Sequence, residues 1–405
     1  MANKQIAKQR NVAIELWRFL ISLAIIGFHT GWIIAMSCKG QFGYWMEQSN
    51  WFFGSSEVLL IFTVTAGYFM AAHFKKRSTD PEYMARSASS RAWDYTWGRV
   101  KALIPVLIVG YVLGVIISTK FFYPEYGVKE TLSMLVNSIW EFLGFHAAGL
   151  RSTGNQFFNL NGTLWFISAM VIVGYFIYWA LCKNEDTFSG FVAPIICVFL
   201  TGWWAFTNTR AAQTAWSTFG AQTASTNGMG GGGGDTTGTL GFNNGLLFVM
   251  LGMMIGLIVY YLVQKVSAHE FGLGGKIVLT CVNLVCSALL MWYTIYQPTY
   301  FMLDRWTVAF LCIAVITMSL MNKDWLTAAL NNKVTNKAFQ YLGGISLYVY
   351  MLHYPVAIGV LRVFGKNTEG TMYSFWQVFL PTVVVTLVLS VITKFVMEKT
   401  ILKKK

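Results

Sequence analysis

The sequence predicts an all-α integral membrane protein with about ten transmembrane helices in one bundle, and three observations carry that prediction. Of the 405 residues, 55% are hydrophobic and 12% are charged, about half the charged share of a soluble domain. The chain holds 16 Trp, 19 Tyr and 31 Phe, and amphipathic rings suit the two water–lipid interfaces of a bilayer. Apolar runs near the ~20 residues that cross a hydrocarbon core recur along the whole length.

In chain order the runs fall at about 12–34, 53–74, 102–119, 162–182, 190–208, 243–264, 277–296, 304–321, 341–361 and 374–396. A further segment, 131–148, is short and carries Asn137, Glu141 and His146, so a re-entrant or interfacial element is expected there. The first run follows a basic stretch, Met1 to Arg10, and is too long, with no small-residue cleavage site, for a removable leader. Thr218 to Gly245 is rich in Gly, Thr, Ser and Asn, with Gly230 to Gly234 in a row. Such a stretch neither buries a core nor spans a bilayer, and it reads as an outer loop. All ten spans form one domain, and no internal repeat suggests a duplicated transporter.

The formal net charge of +13 is a topology signal rather than a nucleic-acid footprint. Most of it lies on alternate connections: the N-terminal tail, the stretch from Lys75 to Lys101, Lys183, Lys265 with Lys276, Lys323 to Lys337, and the C-terminal lysines. Both termini are therefore expected in the cytoplasm. The six cysteines show no CxxC spacing and fall mostly in apolar runs, as small core residues do. His29, His73, His146, His269 and His353 are scattered without metal-ligand spacing, so no metal is expected.

Ionisable groups inside a span are costly, about 2.5–3.5 kcal/mol each on insertion scales, and point to function. In the first span Glu15, Ser22 and His29 recur every seven residues, and Arg18 precedes His29 by eleven. Eleven residues are close to three helical turns, which puts Arg18 and His29 on one face about 16 Å apart along the axis. A local Glu15–Arg18 ion pair with a snorkelling Arg18 is the structural alternative, and for His29 a hydrogen-bonded core histidine. A neutral imidazole at that depth can act as a base, while a guanidinium keeps its charge and can hold phosphate. Ser346, Tyr350 and His353 share a face of the ninth span and are candidates for the acceptor side or for supporting His29. His73 and His269 are expected at the cytoplasmic interface, and Asp304–Arg305 at the outer one.

Four stretches resemble the membrane-bound acyltransferase-3 family. ELWRFLISLAIIGFHT carries Arg18 and His29; IFTVTAGYFM covers 61–70, with Ala66 where serine is usual; GTLWFISAMVIVGYFIY covers 162–178 and includes Trp165; GISLYVYMLHYPV covers 344–356. Where some members have a Glu five residues after that Trp, this chain has Met170. The resemblance implies an acyl-CoA, most often acetyl-CoA, as donor and a hydroxyl of a cell-surface carbohydrate or glycolipid as acceptor. It also implies His29 as the catalytic base with Arg18 beside it, at a bacterial-type plasma membrane. Glu15 would hold Arg18 in its rotamer, and Arg18, Glu15 and Ser22 are candidates for donor binding; Arg99 and Lys101, in RVKALIP, stand where the family has a basic run and would share in donor binding. Trp165 joins the acceptor-side candidates, and no permanently bound cofactor is implied. The alternative is a transporter or flippase-like carrier using Arg18, His29 and His353 as a polar path. The Arg–His spacing, and the want of intramembrane acid pairs, favour the enzyme.

Overall fold

The computed structural model describes residues 11–37, 52, 57–121, 123–139, 161–203, 244–296, 302–364 and 372–400. These residues form helices and no β-strand. In chain order they are α1 (Val12–Ser37), α2 (Leu60–Arg77), α3 (Pro81–Ala85), α4 (Ala88–Phe121), α5 (Val128–Asn137), α6 (Leu164–Lys183) and α7 (Glu185–Trp203). Then follow α8 (Asn244–Ser267), α9 (Leu273–Ile295), α10 (Met302–Met321), α11 (Trp325–Leu330), α12 (Lys333–Phe364) and α13 (Met372–Thr400). Among the described residues nine helices are long and apolar enough to cross a membrane, and Trp306–Met321 of α10 is a shorter apolar stretch. The chain is an all-α integral membrane protein.

Helices extend past the apolar runs that announce them. α4 has 34 residues, about 51 Å at 1.5 Å per residue, and begins well before residue 102. Its first turns carry Arg91, Arg99 and Lys101, residues that disfavour lipid but not helix. An apolar run thus marks where lipid begins, not where the helix does. α7 opens with a π turn at Phe188–Val192.

α12 is the central element, packed between α1, α13 and α4. One large core joins α1, α2, α4, α6, α8, α10 and α12, and a second joins Ile26, Ile33 and Ile34 of α1 with Val349 to Leu361 of α12 and Phe375, Val378 and Phe379 of α13. α2 and α8 approach through glycines. A β-carbon on Gly256 would fall on the Val64 carbonyl, one on Gly252 on Thr63, and one on Gly67 on the Met253 backbone. Gly252 and Gly256 are a GxxxG pair, the small-residue spacing that lets membrane helices meet backbone to backbone. By contrast α7 and α9 are peripheral and turn Val198, Phe199, Val278, Val285 and Trp292 outward, as lipid-facing helices do.

α5 presents an exposed apolar stripe, Val128, Leu132 and Val136, and is tied to α4 through Tyr111, whose hydroxyl donates to the Leu135 carbonyl at 2.7 Å. Of the two readings for 131–148, the part up to residue 139 has the amphipathic character of an interfacial helix. Glu141 and His146 lie outside the described residues, as does most of the glycine-rich stretch 218–245. Among the described residues Cys182, Cys197, Cys281, Cys286 and Cys312 are free thiols. Cys38 lies outside them.

Candidate active site

α1 and α12 run parallel and in register, and their polar residues meet. Ser22 Oγ lies 2.8 Å from the Arg18 carbonyl and 3.3 Å from the Ser346 carbonyl. Seven residues further along each helix, His29 Nδ1 lies 2.8 Å from His353 Nε2. The two polar stripes predicted separately on the first and ninth spans are one seam. His353 is fully buried, and Ser22 and Ser346 with it; Ser346 Oγ donates to the Gly343 carbonyl at 2.7 Å.

The hydrogen bonds assign the tautomers. His353 Nδ1 faces the carbonyls of Tyr350 at 2.7 Å and Val349 at 3.2 Å. A carbonyl only accepts, so Nδ1 carries the proton and, in the neutral ring, Nε2 is an acceptor. His29 Nδ1 must then donate to it. That proton on His29 Nδ1 leaves a lone pair on Nε2, with no hydrogen bond from Nε2 to a described residue. That is the arrangement of a general base.

Residues not anticipated from the sequence hold this pair in place. Tyr354 meets the His29 ring edge to face, centroids 5.5 Å apart, and Gly162 leaves it room: a β-carbon there would stand 2.9 Å from the phenol ring. Asn161, fully buried just before α6, donates from Nδ2 to the Met351 carbonyl at 2.7 Å and accepts from the Thr163 hydroxyl at 2.6 Å. Tyr350, a candidate named from the sequence, reaches the Thr163 carbonyl at 3.3 Å. The start of α6 is thereby clamped to α12 beside the two histidines. The signal was present as a short polar run, NGT, ahead of an apolar span. Glu57, which no motif marks, is 1% exposed at the head of the second span, within electrostatic reach of Cys312.

Arg18 lies about three turns from His29, some 16 Å along α1, beside Glu15 at 3.3 Å. The i,i+3 pair named from the sequence as the structural alternative forms, and its carboxylate nestles against Gly343, where no β-carbon would fit. Arg99 and Lys101 are exposed on α4 and sit over the rings of Tyr95 and Trp97, at 5.1 and 5.4 Å; nothing brings them to the histidine pair. Trp165, the second residue of α6, is buried in the large core against Phe166. His73, expected at the interface, is part of an aromatic cluster at the end of α2. Its Nδ1 is 2.9 Å from the Tyr178 hydroxyl, which is 2.7 Å from that of Tyr83, and Tyr95 stacks on Tyr178 at 4.1 Å. His269 is exposed. The side chains of Asp304 and Arg305 lie outside the described residues. Among the described residues no group of His, Cys, Asp and Glu could hold a metal ion.

A family model described as an acyltransferase domain matches residues 11–395, nearly the whole chain. No curated protein and no solved structure matches it.

Proposed function

Since the chain belongs to the acyltransferase-3 family, we propose that it transfers an acyl group, acetyl by default, from cytoplasmic acyl-CoA to a hydroxyl of a cell-surface carbohydrate or glycolipid. Acyl transfer as such follows from the family. The observation that supports the finer reading is the 2.8 Å contact of His29 with a His353 anchored to the Tyr350 carbonyl.

In this reaction the acceptor oxygen attacks the thioester carbonyl carbon while its proton passes to His29 Nε2. The imidazolium so formed keeps Nδ1–H on His353 Nε2, which stabilises the charge. Collapse of the tetrahedral species breaks the carbon–sulfur bond, and His29 returns the proton to sulfur, releasing the free thiol of CoA. Such a base contributes typically about 10²–10⁴-fold. Arg18, held by Glu15, takes phosphate or pantetheine polar groups of the donor at the cytoplasmic end, and the three turns between it and His29 span the donor arm. Both termini are cytoplasmic in this reading, in a bacterial-type plasma membrane.

The test is transfer of label from radioactive acetyl-CoA to glycan or lipid-linked glycan in membranes, wild type against His29→Ala at matched protein levels. His29-dependent label supports the proposal. A wild-type protein that transfers nothing from acetyl or longer donors contradicts it.

A further inference from the structure

The donor end of the seam contains a second cation that the mechanism has not used. Lys394 of α13 points into the bundle: its side chain is 13% exposed, and its ammonium sits 4.2 Å above the Tyr341 ring. It occupies the space left by Gly344, where a β-carbon would stand 2.8 Å from Nζ. Gly343, the preceding residue, makes the same kind of room for Glu15. The glycine pair of α12 thus admits the Glu15–Arg18 pair from α1 and Lys394 from α13 at one depth. Arg18 has its carboxylate in Glu15 at 3.3 Å. For Lys394 the carboxylate is Glu398, 3.8 Å away and 54% exposed, a partner that water and salt screen.

Above Lys394, toward the histidines, α13 carries buried hydroxyls at helical spacing: Ser390, Thr386 and Thr382, all fully buried. Thr382 bonds the Val378 carbonyl at 2.7 Å, whereas the hydroxyls of Thr386 and Ser390 have no hydrogen-bond partner among the described residues. Buried hydroxyls are ordinarily satisfied. Eight residues separate Lys394 from Thr386, about 12 Å of helix, and α12 climbs nearly the same distance from Gly344 to His353. The unpaired hydroxyls fill the interval between the cation and the histidine pair.

Resting on the acyl-CoA reading, we infer that Lys394 is an anion-binding residue for the phosphates of the donor and that Ser390 and Thr386 line the path of its amide-bearing arm. An ammonium with a weak partner meets phosphate as a point charge, and the two hydroxyls meet the amides that an extended pantetheine arm carries.

The experiment compares two donors, acetyl-CoA and S-acetyl-N-acetylcysteamine, which has the thioester and one amide but no phosphate. Lys394→Met raises KM for acetyl-CoA about tenfold or more, leaves KM for the short thioester unchanged, and leaves kcat near wild type on both; Lys394→Arg retains most of the affinity. Independently of turnover, CoA raises the unfolding temperature of the purified protein, and Lys394→Gln loses that shift. Equal KM changes for both donors, or an unchanged CoA-induced shift, overturns the inference. Wild-type protein inactive with either donor overturns the acyltransfer reading beneath it, a distinguishable result. If Lys394→Met does not fold, the Lys394→Arg and Lys394→Gln measurements decide.

Discussion

The Nε2 atom of His353 lies 2.8 Å from Nδ1 of His29, and the Tyr350 carbonyl lies 2.7 Å from the other nitrogen of His353. In soluble hydrolases the group orienting a catalytic imidazole is commonly a buried carboxylate. Inside a bilayer an ionised acid is expensive. A neutral imidazole fixed by a main-chain carbonyl sets the same tautomer without placing a charge in the apolar interior.

That relationship predicts a graded response at position 353. His353→Ala removes the acceptor and lowers kcat about 10–100-fold. His353→Gln, which can offer an amide oxygen near the place of Nε2, recovers a substantial part of the loss. Initial rates of acetyl transfer for the two variants check this; equal activity in both means that the acceptor role is not what matters.

Asn161 makes its contribution through position. Asn161→Ala leaves the Met351 carbonyl and the Thr163 hydroxyl short of a partner in a buried site, at a cost of about 1–3 kcal/mol. The expected result is a lower unfolding temperature in detergent together with a reduced kcat, and an unchanged KM for the donor.

Gly256 tests the fold apart from the site. Gly256→Ala drives a β-carbon onto the Val64 carbonyl, and overpacking of this kind costs about 1–3 kcal/mol. Thermal unfolding falls by several degrees, while Gly190→Ala, which meets nothing within 4 Å, does not cause such a drop.

At the other end of the seam, Gly343→Ala displaces the Glu15 carboxylate and with it the guanidinium that Glu15 holds. KM for acetyl-CoA rises, by a factor comparable to that of Arg18→Lys, which keeps the charge but loses the planar fork. Steady-state kinetics in membranes measure both.

Much of this arrangement is legible in the sequence. Apolar runs announce the spans, because lipid tolerates little else, and the seven-residue recurrence of Glu15, Ser22 and His29 announces the seam. What one sequence does not carry is which helix faces which. The spacing of His353 from Ser346 equals that of His29 from Ser22, yet their pairing across 324 positions is a fact of packing. Motif alone points to Arg99 and Lys101, which are exposed on α4. Glu57, one acid in an aromatic run, has no periodicity to flag it. The helix-to-helix glycines Gly252 and Gly256 were visible as a GxxxG, but their partner on α2 was not. Lys394 is drawn into the bundle because Gly344 makes room for it, which a single sequence does not show.

If His29 and His353 act as one unit, a double-mutant cycle reveals it. Acetyl transfer is measured for wild type, His29→Ala, His353→Ala and the double variant at matched, folded protein levels. The expected result is strong non-additivity: with His29 gone, removing His353 costs little more, because its role is exercised through that imidazole. Losses that simply multiply would contradict it.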